Sequence, residues 1–168
     1  MFQAVVITVS DSSARGLRQD LSGPAVAQAL SLAGFDVVEH ALVPDEQPQI
    51  EAALSRAAAR APLVITTGGT GITPRDVTPE ATRSVCTRLL DGLSEQMRAA
   101  GRQETPFAVL SRGLCGLLGS SLVVNLPGSP RGALTSLHAV LPVLPHALGL
   151  LADAQSPHPE AGPPAGPA

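Results

Sequence analysis

Lysine, tryptophan and tyrosine are absent from this 168-residue chain, and phenylalanine occurs only three times. All 11 cationic residues are arginines, so there is no Schiff-base lysine and no Walker A lysine. The scarcity of aromatics removes the stacking platforms on which single-stranded nucleic acids are usually bound. With a formal net charge of −3 and no basic run, a nucleic-acid surface is not expected. No apolar run reads as long enough to cross a bilayer. The start MFQAVVITVSDS has no basic region ahead of its apolar residues and runs directly into a strand pattern, so it is not read as a signal peptide. Cys86 and Cys115 lie far apart without metal-ligand spacing and are expected as buried thiols in a reducing compartment. The expected setting is the cytoplasm, with small molecules as partners and no membrane or nucleic acid.

What is present is ample aliphatic material. At 44% hydrophobic, the chain can bury a core of Val, Leu, Ile and Ala in one domain, placed at residues 1–153. Residues 4–9 (AVVITV) form a β-branched run typical of a buried parallel strand. Ser22-Gly23-Pro24 opens a helix, with Ser22 as its cap and Gly34 as its left-handed close. A second strand (36–43) leads through Pro44-Asp45-Glu46 into a helix over 47–60, with Ile50, Ala53, Leu54 and Ala57 inward. Strand Leu63–Thr67 follows, then a helix from Thr78, another over 91–101, and strands at 107–111 (FAVLS) and 121–125. Apolar residues from 134 to 151 fall in a helical stripe that Pro142 and Pro145 must kink or divide. Residues 154–168, dominated by Pro, Ala and Gly, read as a disordered tail.

Alternating strands and helices imply an α/β fold, a three-layer α/β/α sandwich around a mostly parallel sheet. Ligands in such sheets bind beyond the C-terminal strand ends, where strand order reverses. Asp11, Asp45 and Asp76 each follow a strand and converge on that edge.

The segment Thr66-Thr67-Gly68-Gly69-Thr70-Gly71 is the sharpest signal. Its glycines permit positive φ and close approach, its successive amides can form an anion nest, and Thr67 and Thr70 add hydroxyl donors. The same residues could serve only as a tight strand-to-helix turn. Ile72-Thr73 after the last glycine excludes a P-loop, and the spacing is not that of a dinucleotide fingerprint. A carboxylate at Asp76 beside a phosphate cradle needs a divalent cation between them, and Mg²⁺ takes one or two carboxylates plus phosphate oxygens. Asp45 is the natural second carboxylate. Otherwise Asp76 is a helix N-terminal charge and Asp45 a turn residue. Ser111-Arg112 and Pro127-Gly128-Ser129 could hold a ligand or simply turn the chain.

In order and spacing these residues resemble the MoaB/MogA family of molybdenum-cofactor proteins. The resemblance rests on Thr8-Val9-Ser10-Asp11, Asp20-Leu21-Ser22-Gly23, Val43-Pro44-Asp45, the block from Thr66 through Arg75-Asp76-Val77-Thr78-Pro79-Glu80-Ala81, Leu110-Ser111-Arg112, and Asn125 through Pro130. It implies a homotrimer, or a hexamer of MoaB type, that adenylylates the terminal phosphate of molybdopterin with Mg-ATP and passes the product to a MoeA-type insertase. Under that resemblance Asp45 and Asp76 are catalytic and hold Mg²⁺, and Thr67, Gly68, Gly69, Thr70 and Gly71 bind nucleotide phosphate. Ser10, Asp11, Ser111, Arg112, Pro127, Gly128 and Ser129 contact the pterin. Ser12 stands where many relatives carry an arginine, for which Arg15 could substitute. Two alternatives stand beside this one: a non-catalytic molybdopterin-binding or assembly protein, and a CinA-type nucleotide pyrophosphatase, whose loop usually reads differently.

Overall fold

The computed structural model describes residues 1–154, so the tail expected at 154–168 lies, from Gln155 onward, outside the described residues. Strand β1 (Gln3–Val9) is buried from Ala4 on, as its β-branched composition requires. It runs into a one-turn helix α1 (Asp11–Ala14), where Ser10 Oγ accepts from the Ser13 amide at 3.2 Å. Helix α2 (Ser22–Leu32) is capped differently from expectation. Ser22 is already helical, and Asp20 Oδ1 accepts from the Gly23 amide at 3.0 Å. Gly23 is packed so tightly that a Cβ there would lie 2.2 Å from both Thr8 Oγ1 and His40 Nε2. That contact draws the first turn inward and leaves the capping to Asp20.

The chain continues through β2 (Asp36–Val43), α3 (Gln47–Ala58), β3 (Leu63–Thr67), α4 (Thr78–Val85), β4 (Arg88–Leu89) and α5 (Asp91–Arg102). Strands β5 (Cys115–Leu118) and β6 (Ser121–Leu126) form a hairpin ahead of α6 (Pro130–Val140) and α7 (Leu144–Asp153). The sheet order is β2-β1-β3-β6-β5-β4. β2, β1, β3 and β6 are mutually parallel, whereas β5 is antiparallel to both β6 and β4. Alternate residues of β1 feed two cores. Ala4 and Val6 pack with Leu30, Leu126, Leu137 and Leu148 on one face, while Val5 and Ile7 pack with Ile50, Leu54 and Val64 on the other. The three-layer expectation holds.

The strand expected at 107–111 is instead a 3-10 helix, Pro106–Leu110. Thr105 Oγ1 accepts from the Phe107 amide at 3.3 Å and Pro106 supplies the fixed φ of a first helical position. With Phe107 73% and Val109 53% exposed, the segment has no face to bury in a sheet. The true strands, β4 and β5, escaped the pattern because they are short and carry Gly116, whose Cβ would lie 2.9 Å from Arg88 O across the pair.

The last stripe is divided, not kinked, by a 3-10 turn at Leu141–Val143. Pro130–Asp153, 24 residues long, is long and apolar enough by length and composition to cross a membrane, which corrects the reading that no run qualifies. Scattered polar residues hid that length from a search for unbroken apolar runs. Its Ala133, Leu137, Val140, Leu144 and Leu148 are spent in the sheet core.

Candidate active site

Strand order reverses between β1 and β3, and their C-terminal ends open the crevice that this topology predicts. The glycine loop lies across it. A Cβ on Gly68 would fall 2.1 Å from Val9 O, so the β3 loop rests directly on the end of β1. Gly68 and Gly69 have φ of +101° and +63°, conformations that L side chains rarely adopt. Gly71 has no positive φ; its requirement is room, since a Cβ there would meet Asp76 Oδ2 at 2.8 Å.

The loop's donors are partly committed. The Gly68 amide donates to Leu126 O at 3.1 Å, and the Gly71 amide donates to the Asp76 carboxylate. Thr67 Oγ1 donates to Pro127 O at 2.7 Å and Thr67 is fully buried, so it is a brace between two loops and not the free hydroxyl donor expected. The amides of Gly69 and Thr70 have no partner among the described residues. They are the part of the nest open to an anion. Thr78 holds the loop from behind, its Oγ1 donating to Gly68 O at 2.9 Å and its amide to Gly69 O at 3.1 Å.

Asp45 and Asp76 face this loop from two sides. A Cβ on Gly69 would come within 3.0 Å of Asp45 Oδ1, as one on Gly71 would meet Asp76. Their environments push them apart. Burial raises the Asp45 pKa, and the nearby charges of Asp11 and Asp76 add to that despite a hydrogen bond from the Asp11 amide. For Asp76 burial acts in the same direction but is outweighed. Hydrogen bonds from Thr73 Oγ1 (2.6 Å), the Thr73 amide (2.9 Å) and the Gly71 amide, with the charge of Arg112, hold it below the ordinary carboxylate value.

Two arginines fasten the site and are consumed in doing so. Arg75 grips Asp11 through both Nε (3.0 Å to Oδ2) and Nη2 (2.8 Å to Oδ2) and also reaches Glu46 at 3.0 Å. Arg112 donates from Nε to Gly71 O and from Nη2 to Asp76 O, each at 2.6 Å, and pairs with Glu80. It therefore clamps the loop and its charge is already matched. Arg15, the expected substitute for the missing loop arginine, is exposed at the end of α1, and Arg75 fills the place beside Asp11. The sequence carried a sign of this in the Arg75-Asp76 pair, but the partner of Arg75 lies 64 residues away.

Ser111 and Arg112 follow a 3-10 helix where a strand was expected. They reach the same edge because β5 is antiparallel and begins there, with Cys115 opposite Val124 near the end of β6. Asn125, 1% exposed, locks this region. Its Nδ2 donates to Thr66 Oγ1 (3.0 Å) and Thr82 Oγ1 (2.9 Å), and its Oδ1 accepts from the Leu114 amide at 3.1 Å.

The crevice has two lobes. The larger, about 480 Å³, runs past Ser111 to one face of α5 (Ser94, Met97, Arg98, Gly101) and to the exposed Phe107 and Leu110. The smaller, about 410 Å³, is more polar and is lined by Ser10, Arg18, Asp20, Asp45 and Gly68. Gly69, Asp76, Gly128 and Ser129 belong to both. Ser10 and Ser111, expected on one ligand, thus face different lobes, while Asp11 and Arg112 line neither. A divalent cation fits the donor chemistry at the waist. Asp76 at the waist and Asp45 on the wall of the smaller lobe repel each other, and no group of three or more His, Cys, Asp or Glu among the described residues forms a protein-only cage.

The probable molybdopterin binding domain family matches residues 5–146. A molybdopterin adenylyltransferase from Helicobacter pylori (strain J99) is 39% identical over 150 residues, covering 87% of this chain and 85% of that protein. One from Escherichia coli (strain K12) is 39% identical over 140 residues, covering 80% and 71%. The crystal structure of the molybdopterin biosynthesis enzyme MoaB from Thermus thermophilus superposes with a TM-score of 0.86 at 50% identity, covering 91% of this chain and 98% of that one. The chain belongs to the molybdopterin-binding family typified by MoaB and MogA.

Proposed function

We propose that this chain is a molybdopterin adenylyltransferase of molybdenum-cofactor biosynthesis, with molybdopterin and ATP as its substrates. The observation that carries the proposal is the two-lobed crevice whose lobes share, among the described residues, Gly69, Asp76, Gly128 and Ser129. A transferase needs two ligands to meet at one point, and a carboxylate beside unpartnered amides stands at that point.

The reaction balances without redox chemistry. An oxygen of the molybdopterin phosphate attacks the α-phosphorus of ATP. The bond from that phosphorus to the bridging oxygen breaks, and pyrophosphate leaves with the electron pair. A phosphate monoester is already nucleophilic at neutral pH, so no general base is required; positioning and charge screening are. Asp45 and Asp76 are the catalytic carboxylates and would hold Mg²⁺, which supplies neutralisation of the phosphate charges. The amides of Gly69 and Thr70 orient the phosphate, with Gly68 and Gly71 shaping the turn and Thr67 bracing it. The larger lobe, with Ser111, Pro127, Gly128 and Ser129, suits a flat pterin through its apolar walls. The smaller, with Ser10, suits the nucleotide. Asp11 and Arg112 act by holding Asp45 and the glycine loop in place.

The protein works in the cytoplasm as a homotrimer, or a hexamer of MoaB type, and hands its product to a MoeA-type insertase. Sedimentation of the purified protein decides the oligomer. Incubation with molybdopterin and Mg-ATP labelled at the α-phosphate tests the activity: a labelled AMP–pterin adduct is expected. Free AMP formed without pterin would favour a pyrophosphatase, and pterin binding without any adduct would favour a binding protein.

A further inference from the structure

Among the described residues, the smaller lobe is lined by three carboxylates, Asp20, Asp45 and Asp76, and by a single cation, Arg18. A lobe of this sign repels a polyanion unless something offsets it. Arg75 and Arg112 cannot help, because they are already paired with Asp11, Glu46 and Glu80, and Arg98 lines the other lobe. Asp20 is likewise committed. Its oxygens accept from Thr8 Oγ1 (2.6 Å) and the Gly23 amide (3.0 Å), and His40 Nε2 lies 3.2 Å from Oδ2, so it has little left to offer a ligand. Arg18 is exposed in the turn after α1 and has no ion-pair partner among the described residues.

Reaction geometry gives this free guanidinium a target. Phosphoryl and nucleotidyl transfers proceed with the attacking and leaving oxygens in line. If the pterin phosphate enters from the larger lobe and the α-phosphate sits at the shared waist, the leaving pyrophosphate must point the opposite way. That direction is into the smaller lobe. We infer that Arg18 binds the β- and γ-phosphates of the nucleotide and anchors the departing pyrophosphate, an assignment that rests on the adenylyl-transfer reading. A guanidinium suits this task because its fork of donors matches phosphate oxygens and its charge does not titrate.

Equilibrium dialysis with Mg-ATP, AMP and Mg-pyrophosphate on the full chain, without pterin, tests it. Arg18→Ala should weaken ATP and pyrophosphate about tenfold while leaving AMP within about twofold. Arg18→Lys should recover part of the loss, and Arg15→Ala, which removes a neighbouring charge outside the lobe, should change nothing. In turnover, Arg18→Ala should raise KM for ATP and leave KM for molybdopterin unaltered. Equal losses of ATP and AMP, no loss of either, or the same loss in Arg15→Ala would overturn the Arg18 assignment alone. Wild-type protein that binds no nucleotide would overturn the transfer reading and this assignment together.

Discussion

Asp11 and Asp45 exchange hydrogen bonds across the ends of neighbouring strands. The Asp11 amide donates to Asp45 Oδ2 at 2.8 Å, and the Asp45 amide donates to Asp11 Oδ1 at 3.0 Å. Each carboxylate thereby fixes the other's backbone, and Arg75 holds the pair from the outside. Asp11 is therefore a positioning residue for Asp45. Asp11→Ala should lower kcat about 10–100-fold, as loss of a partner that orients a metal-binding carboxylate does. Asp11→Asn, which keeps the acceptor for the Asp45 amide, should lose much less. A steady-state comparison of the two variants checks this, and equal losses would remove the positioning role.

Asp45 and Asp76 should respond to neutralisation with opposite signs in stability. The Asp45 pKa is raised above 3.8, so the folded state holds its proton more tightly than the unfolded chain does. Its ionisation costs stability, absent below the unfolded value and fully present once the pH exceeds the folded one. Asp76 is lowered from 3.8, so it contributes stability above the unfolded value that is lost as pH falls through the folded one. At pH 7, Asp45→Asn should melt at or above wild type and Asp76→Asn below it, the two differences shrinking in strong acid. Melting curves at both pH values decide the matter.

Both substitutions should also abolish adenylyl transfer, with Asp76→Asn leaving pterin binding nearly intact. Normal turnover in either variant would remove its assigned role. Because a proton and a cation compete for the Asp45 carboxylate, raising the Mg²⁺ concentration should move the acidic limb of the rate profile to lower pH.

Gly68 and Gly34 share a positive φ, +101° and +88°, but not a neighbourhood. Nothing among the described residues lies within 4 Å of a Cβ on Gly34, whereas one on Gly68 meets Val9 O at 2.1 Å. Gly34→Ala should cost about 1–2 kcal/mol, the backbone penalty alone. Gly68→Ala must also displace β1 from the loop and should exceed that clearly, with loss of activity. Chemical denaturation of the two variants gives the comparison.

Arg112 binds Gly71 O and Asp76 O with its planar fork. Lysine offers a point charge and cannot span both carbonyls. Arg112→Lys should therefore reduce kcat by roughly tenfold or more through a loosened loop, with the fold retained. An unchanged kcat would mean that the loop holds its shape without the clamp.

Features written in neighbouring residues were legible from the sequence. Unbroken apolar runs placed β1 and β3, and a helical stripe placed α3, because a doubly covered strand is apolar on both faces and a helix on one. The run Gly68-Gly69-Thr70-Gly71 announced its turn because only glycine adopts those angles cheaply. The strand expected at 107–111 failed because exposure, not composition, decides whether an apolar segment joins a sheet. Only tertiary structure could show that Arg75 meets Asp11, that Thr67 is a brace, or that an antiparallel β5 delivers Ser111 and Arg112 to the site edge. Those contacts join residues tens of positions apart, and their energies depend on distances that no local pattern encodes.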